Sequence, residues 1–375
     1  MLEKIQPGSG AVSTQGQSKR RHRNASKSHN GRSRYKPNYF GAIDLGTNNC
    51  RLLIAQSLPQ GFKVVDSYSS VVRLGAGLAS TGRLADTNMD AAVEAISVCA
   101  AKLKAKNVKR WRCIATQACR QAENGAEFIA RIKRETGLAF ETISPRVEAR
   151  LSVMGVINII DTKKDVALVI DIGGGSTEIS WVDIRRLQGY GKSGAKVHRP
   201  PISAWVSLPT GVVSLSEMFP EQPNDLAGWY ASMKSHVLGE LKKQNADKNF
   251  TNVFQAGRGH IVGASGTVTS LASVHLKLPY YQRDKVDGIW MNASDIVQIA
   301  RKLSVMSLQE RQSEPCIGIG RASLLVAGCA IMDVICELWP SERIRVADRG
   351  LREGMLMGLM GKNQLRSPRR NGAEI

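Results

Sequence analysis

Apolar residues recur with strand or helix period from Tyr39 onward and with almost no period before it. Gly41-Ala-Ile-Asp44-Leu-Gly46-Thr47-Asn48-Asn49 leads into Leu52-Leu53-Ile54-Ala55, a pattern that predicts a strand, a tight turn and a second strand. Met89, Val93, Ile96, Ala100 and Leu103 follow at steps of four and three, which predicts one buried face of a helix over 88–103 with Thr87 as its N-cap. A strand Trp111–Ala115 runs into Thr116-Gln-Ala-Cys-Arg120, and a helix from Ala126 to Glu135 stops at Gly137. After a strand Phe140–Ile143, Ser144 suits an N-cap and Pro145 the first helical position, so Glu148 falls in a first turn.

The charged break Asp161–Asp165 starts a new unit, Val166-Ala-Leu-Val-Ile-Asp171-Ile-Gly173-Gly174-Gly175-Ser176-Thr177. It repeats the first loop: Asp44 and Asp171 each end an apolar run before glycine, 127 residues apart, which is about a domain length. A third glycine loop, Gly263-Ala-Ser265-Gly266-Thr267, also follows an apolar stretch. Residues 185–201 and 219–228 read as surface loops, and Ala322–Leu338 as a buried helix. Such a chain is α/β with two domains.

The loops suggest chemistry. Glycine lets backbone N–H groups approach phosphate oxygens closely, and the aspartate can hold Mg²⁺ directly or through water. Two symmetric loops facing one phosphate group are a specific arrangement, where one alone is commonplace. Thr47, Asn48, Asn49, Gly173, Gly174, Gly175, Ser176, Ser265, Gly266 and Thr267 are the candidate phosphate-binding positions, with Asp44 and Asp171 for the metal.

Charge sharpens the substrate class. The formal net charge is +20, with nine Lys/Arg against Glu3 alone in residues 1–37. That segment reads as a disordered basic tail, suited to RNA or another polyanion or simply solvated. The rest of the chain is basic as well, which suits a polyanionic substrate. The seven cysteines form no Cys-x-x-Cys pair, so reduced thiols in a cytoplasm are expected, not disulfides or a zinc site. Asp333 and Glu337 interrupt the longest apolar stretch and the N-terminus lacks a hydrophobic leader, so neither a membrane span nor a secretory signal is expected.

Several segments together resemble the exopolyphosphatase/guanosine pentaphosphate phosphohydrolase family of the acetate and sugar kinase, heat-shock chaperone and actin superfamily. They are Ala42–Ala55, Val72–Leu78, Ala115–Arg120, Ile143–Leu151, Leu168–Ser180, Ser207–Val213, Val262–Thr267, Gly320–Gly328 and Asp348–Gly354, in family order. The resemblance implies two RNase H-like domains (38–150 and 151–348), a C-terminal helix (349–362) and a basic end (363–375), with the active site in the interdomain cleft. It implies that Glu148 activates the attacking water, that Asp171 and Asp44 organise Mg²⁺, and that Arg120 contacts phosphate. Arg51 and Arg321 would meet polyphosphate or the guanosine pentaphosphate pppGpp. The helix dipole would keep Glu148 ionised.

Departures accompany the match. Pro145, Arg146 and Val147 stand where many members have Gly-x-Glu, and Thr47 and Asn49 replace frequent serines. No helical HD-type domain is expected after Gly361. Asp348 and Arg352 read as ties for the last helix, outside the site. A homodimer is compatible with this picture. The rival readings are a sugar or acyl kinase of the same superfamily and a non-catalytic polyanion or RNA binder.

Overall fold

The computed structural model describes residues 38–58, 61–191 and 199–364. The basic tail expected over 1–37, residues 192–198 of the expected loop and the end from 365 lie outside the described residues.

Strands β1 (Tyr39–Leu45), β2 (Asn49–Ser57), β3 (Phe62–Val71), β4 (Arg110–Ala115) and β5 (Glu141–Thr142) form a five-stranded sheet in the order β3-β2-β1-β4-β5. The first three strands are an antiparallel meander, and β4 and β5 add in parallel. The central strands β1 and β2 are buried on both faces, which is why Leu52–Ala55 reads as a continuous apolar run. Ile43, Leu45, Cys50, Leu52 and Ile54 pack with helix Asp86–Ala105 on one face. Phe40, Ala42, Leu53 and Ala55 pack on the other with Leu151, Met154, Met355 and Leu356. The helix at 86–105 is capped at Ala85, with Thr87 inside its first turn and not at the cap expected for it.

A second sheet is built on the same plan. Strands β6 (Val166–Ile172), β7 (Thr177–Asp183), β8 (Ile202–Leu208), β9 (Gly259–Gly263), β10 (Trp290–Asn292) and β11 (Arg343–Val346) lie in the order β10-β11-β9-β6-β7-β8. β6, β7 and β8 repeat the meander, and β9 and β11 stand parallel as β4 and β5 do. Sequence repeat and structural repeat therefore coincide. In each hairpin the loop aspartate pairs across to the residue seven places on: Asp44 with Arg51, and Asp171 with Glu178.

Two helices join the sheets. Pro145–Val156 turns Leu151 and Met154 toward the first core and Val153 and Val156 toward the second. The boundary expected after residue 150 thus falls inside a helix that belongs to both cores. The terminal helix, Leu351–Gln364, returns to the first sheet through Met355, Leu356 and Met360. It presses on Pro145–Val156 through glycines, since a Cβ at Gly155 or Gly354 would collide with the backbone of Gly350 or Leu151.

Helix Ile319–Leu338 is long and apolar enough, by length and composition alone, to cross a membrane, contrary to the expectation drawn from Asp333 and Glu337. It is mostly buried, the central helix of the second core. Asp333 is tolerated there because Lys234 Nζ donates to it at 3.0 Å and Tyr230 Oη at 3.3 Å. Two expected loops also carry helix: Ile184–Gly191, and Leu226 onward, capped by Asp225 accepting from the Gly228 N–H. All seven cysteines are free thiols and six are buried.

Candidate active site

The two Asp-Gly loops meet at the head of a cleft of 710 Å³ between the sheets. In the first loop the Gly46 N–H donates to Asn49 O at 2.9 Å, closing the turn, and the Gly75 N–H donates to Thr47 O at 2.8 Å. In the second, the Gly173 N–H donates to Ser176 O at 2.9 Å, while the Val212 and Val213 N–H groups donate to Gly173 O and Gly174 O. Gly211 is required by this approach, because a Cβ there would lie 2.6 Å from Gly173 O. A Cβ on Gly174 would lie 2.9 Å from Thr47 Cβ, so only glycine lets the loops come this close. The third loop runs into helix Gly266–His275, where Ser265 Oγ accepts from the Val268 N–H.

Asp44, Thr47, Asn48, Asn49, Arg51, Glu148, Asp171, Gly173, Gly174, Gly175, Ser176, Ser265, Gly266, Thr267 and Arg321 all line this cleft. Arg120 does not; it sits behind Glu148, donating to Ile143 O at 2.6 Å and to Glu148 Oε2 at 3.3 Å. The cleft also holds residues the sequence reading passed over. Glu178, Tyr281, Arg283 and Arg349 line it, as do Asp348 and Arg352, which had been read as helix ties. Asp348 does both, pairing with Arg283 at 3.1 Å. Glu178 had a legible signal, because it occupies in the second repeat the place that Arg51 holds in the first.

Four carboxylates share a small volume, Glu148 and Glu178 buried and Asp44 and Asp171 partly buried. Burial pushes the Glu148 carboxyl well above the usual range; Glu178 adds to the rise and Arg120 opposes it. The helix dipole alone would have favoured the ionised form, but Glu148 is only 8% exposed, and desolvation outweighs the dipole. Burial and Asp171 raise Glu178 to about 7, against hydrogen bonds from Ser176 and Ser207. Burial raises Asp171 to about 6, against the hydroxyl that Ser152 donates to its Oδ2. Burial also raises Asp44, while Arg51 and Arg352 lower it.

Asp44 Oδ1 is buried without a hydrogen-bond partner. Among the described residues no three His, Cys, Asp or Glu side chains gather into a metal cage. That donor set still fits Mg²⁺, which takes one or two carboxylates and completes its shell with water and substrate phosphate. Arg51, Arg321 and Arg352 line the same cleft as the carboxylates, and Arg321 lies 5.7 Å over the Tyr281 ring.

Two facing phosphate-type loops with carboxylates at their base define an actin-like ATPase fold adapted to phosphoryl chemistry. The structural neighbours agree. The crystal structure of the Aquifex aeolicus member of the Ppx/GppA protein family matches with TM-score 0.69 and 26% identity, over 88% of this chain and 99% of that one. An exopolyphosphatase from Cytophaga hutchinsonii shares the fold at TM-score 0.75 and 23% identity, over 87% of this chain and 98% of that one. The model of the Ppx/GppA phosphatase family matches residues 53–363, and the chain belongs to that family. Relatives include a guanosine-5'-triphosphate,3'-diphosphate pyrophosphatase of Photobacterium profundum, 27% identical over 86% of this chain. Another is exopolyphosphatase 1 of Mycobacterium bovis, 25% identical over 85%. The chain spans 59% of the Photobacterium protein's length and 87% of the mycobacterial one's.

Proposed function

We propose that this chain is a phosphoanhydride hydrolase that releases the terminal phosphate of inorganic polyphosphate, of guanosine pentaphosphate, or of both. The observation that carries the reading is Glu148: a buried carboxylate in the wall of a cleft otherwise lined by phosphate-type loops and arginines, with Arg120 behind it. The names of the Photobacterium and mycobacterial relatives support the substrate class.

The terminal phosphoryl group sits between the loops, its oxygens accepting from their N–H groups and from Arg51, Arg321 and Arg352. Glu148 takes a proton from water as the water oxygen bonds to phosphorus in line with the breaking P–O bond. A carboxyl raised toward neutrality is a better match to that role than an ordinary one, because it holds the proton it receives. Glu178, bridged to Ser207 Oγ at 2.8 Å, keeps negative charge close to Glu148 and raises its affinity for that proton. Asp44 and Asp171 would hold Mg²⁺, which when bound neutralises phosphate charge. The thiols, free throughout, support a reducing compartment such as the cytoplasm.

Phosphate release measured side by side on polyphosphate and on guanosine pentaphosphate, with Mg²⁺, tests the reading. Release from at least one without an added acceptor supports it. Turnover of ATP only when an acceptor is supplied would make the protein a kinase.

A further inference from the structure

A second hollow, of 490 Å³, is lined by two side chains, Arg120 and Ser207, that bond the cleft carboxylates Glu148 and Glu178. Gln117, Arg120, Gln121, Trp205, Ser207 and Gln244 are among the residues lining it. Ser176 lines both spaces. Two side-chain pairs form part of the partition between them, each with one member lining either space. Arg120 of the hollow meets Glu148 of the cleft at 3.3 Å, and Ser207 of the hollow meets Glu178 of the cleft at 2.8 Å. Among the described residues that line the hollow, Arg120 carries the only charge.

We propose that this hollow is the exit for inorganic phosphate, which leaves while the shortened chain stays in the cleft. The inference rests on the hydrolase reading and follows from the direction of attack. In-line displacement puts the water opposite the leaving oxygen, so Glu148 lies beyond the terminal phosphorus as seen from the chain. The water oxygen bonds to phosphorus, the bridging P–O bond breaks, and the water's proton passes to Glu148. The severed phosphate then has the chain end in front of it and the Glu148–Arg120 partition behind. Arg120 offers the anion charge-assisted hydrogen bonds. Opening this way asks the partly buried Arg120 side chain to release Glu148 and Ile143 O, and the Ser207 hydroxyl to release Glu178.

The test adds inorganic phosphate to the full-length protein turning over polyphosphate, and repeats it with Gln121→Lys and Gln121→Glu. Gln121 is exposed at the mouth of the hollow and touches none of the groups assigned to the reaction. Phosphate entering by the hollow lowers kcat and leaves KM for the chain unchanged. Its inhibition constant falls about fivefold in the Lys variant and rises by a similar factor in the Glu variant at low salt, as expected of a unit charge ~4 Å away in water. Competitive inhibition that ignores the charge at 121 overturns the proposal. A parallel titration of Trp205 fluorescence with inorganic phosphate, with Trp205→Phe identifying its signal, separates the two readings. No turnover on either substrate defeats the hydrolase reading, whereas a titration that is flat or the same in both charge variants defeats this inference.

Discussion

Gly354→Ala should loosen the contact on which the site is mounted. A Cβ on Gly354 would stand 2.0 Å from the Leu151 carbonyl oxygen, where ordinary contact begins at 3.4 Å. The obstacle is backbone on both sides, so no rotamer can relieve it and the two helices must part. Overpacking of this kind costs about 1–3 kcal/mol, against a gain of about 1 kcal/mol from replacing a helical glycine with alanine. With backbone as the neighbour the cost lies at the upper end, leaving a net loss near ~2 kcal/mol. At about 2–4 °C per kcal/mol for a unit of this size or somewhat smaller, Tm should fall by about 4–8 °C. The same movement displaces helix Pro145–Val156, which carries Glu148 and the Ser152 hydroxyl bonded to Asp171. A misplacement of about 1 Å can cost ~10²-fold in turnover. Gly358→Ala in the same helix is the control, since nothing lies within 4 Å of its Cβ position. Thermal melts and phosphate release on both variants give the answer. If Gly354→Ala melts and turns over like Gly358→Ala, the glycine contact does not set the site.

Three further outcomes follow from the electrostatics. Glu178 is raised to about 7 from an ordinary 4.5, so between those pH values the folded chain holds a proton that the unfolded chain has lost. Stability from this group therefore falls as pH rises from 4.5 to 7, and Glu178→Gln should raise Tm in metal-free buffer at pH 8 but not at pH 4. Arg120→Ala removes the guanidinium that lowers Glu148, so the rising limb of kcat/KM against pH should move to higher pH; an unmoved limb would uncouple the pair. Asp44→Asn should shift the Mg²⁺ activation curve to higher concentration with KM for substrate at saturating Mg²⁺ little changed, and an unshifted curve would remove Asp44 from the metal.

Much of the architecture was legible because the fold is a duplication. The Asp-Gly loops mark the same hairpin in each sheet, and strands buried on both faces announce themselves as apolar runs. The cleft residues on those loops followed directly. What local pattern hid was whatever depends on a register between strands or on contacts distant in sequence. Glu178 lies on a strand beyond its loop and becomes a site residue only through its pairing with Asp171. Asp348 and Arg352 enter the cleft because the last helix returns to the first sheet, a contact that no local period encodes. The upward shift of the Glu148 carboxyl was hidden for a similar reason. Its first-turn position is written in the sequence, whereas its burial and the charge of Glu178 are properties of the assembled cleft.

The most direct test of the account is Glu148→Gln, assayed for single-turnover phosphate release and for equilibrium polyphosphate binding on one preparation. The amide keeps the size of the carboxylate but cannot accept a proton. The loops, Asp44, Asp171 and the cleft arginines are untouched, so binding should survive. Turnover should fall by ~10²–10⁴-fold, the usual worth of general-base assistance. Turnover within about threefold of the native rate, against that expectation, would place the base elsewhere. Loss of binding along with turnover would make Glu148 a residue that holds the cleft and not one that activates water.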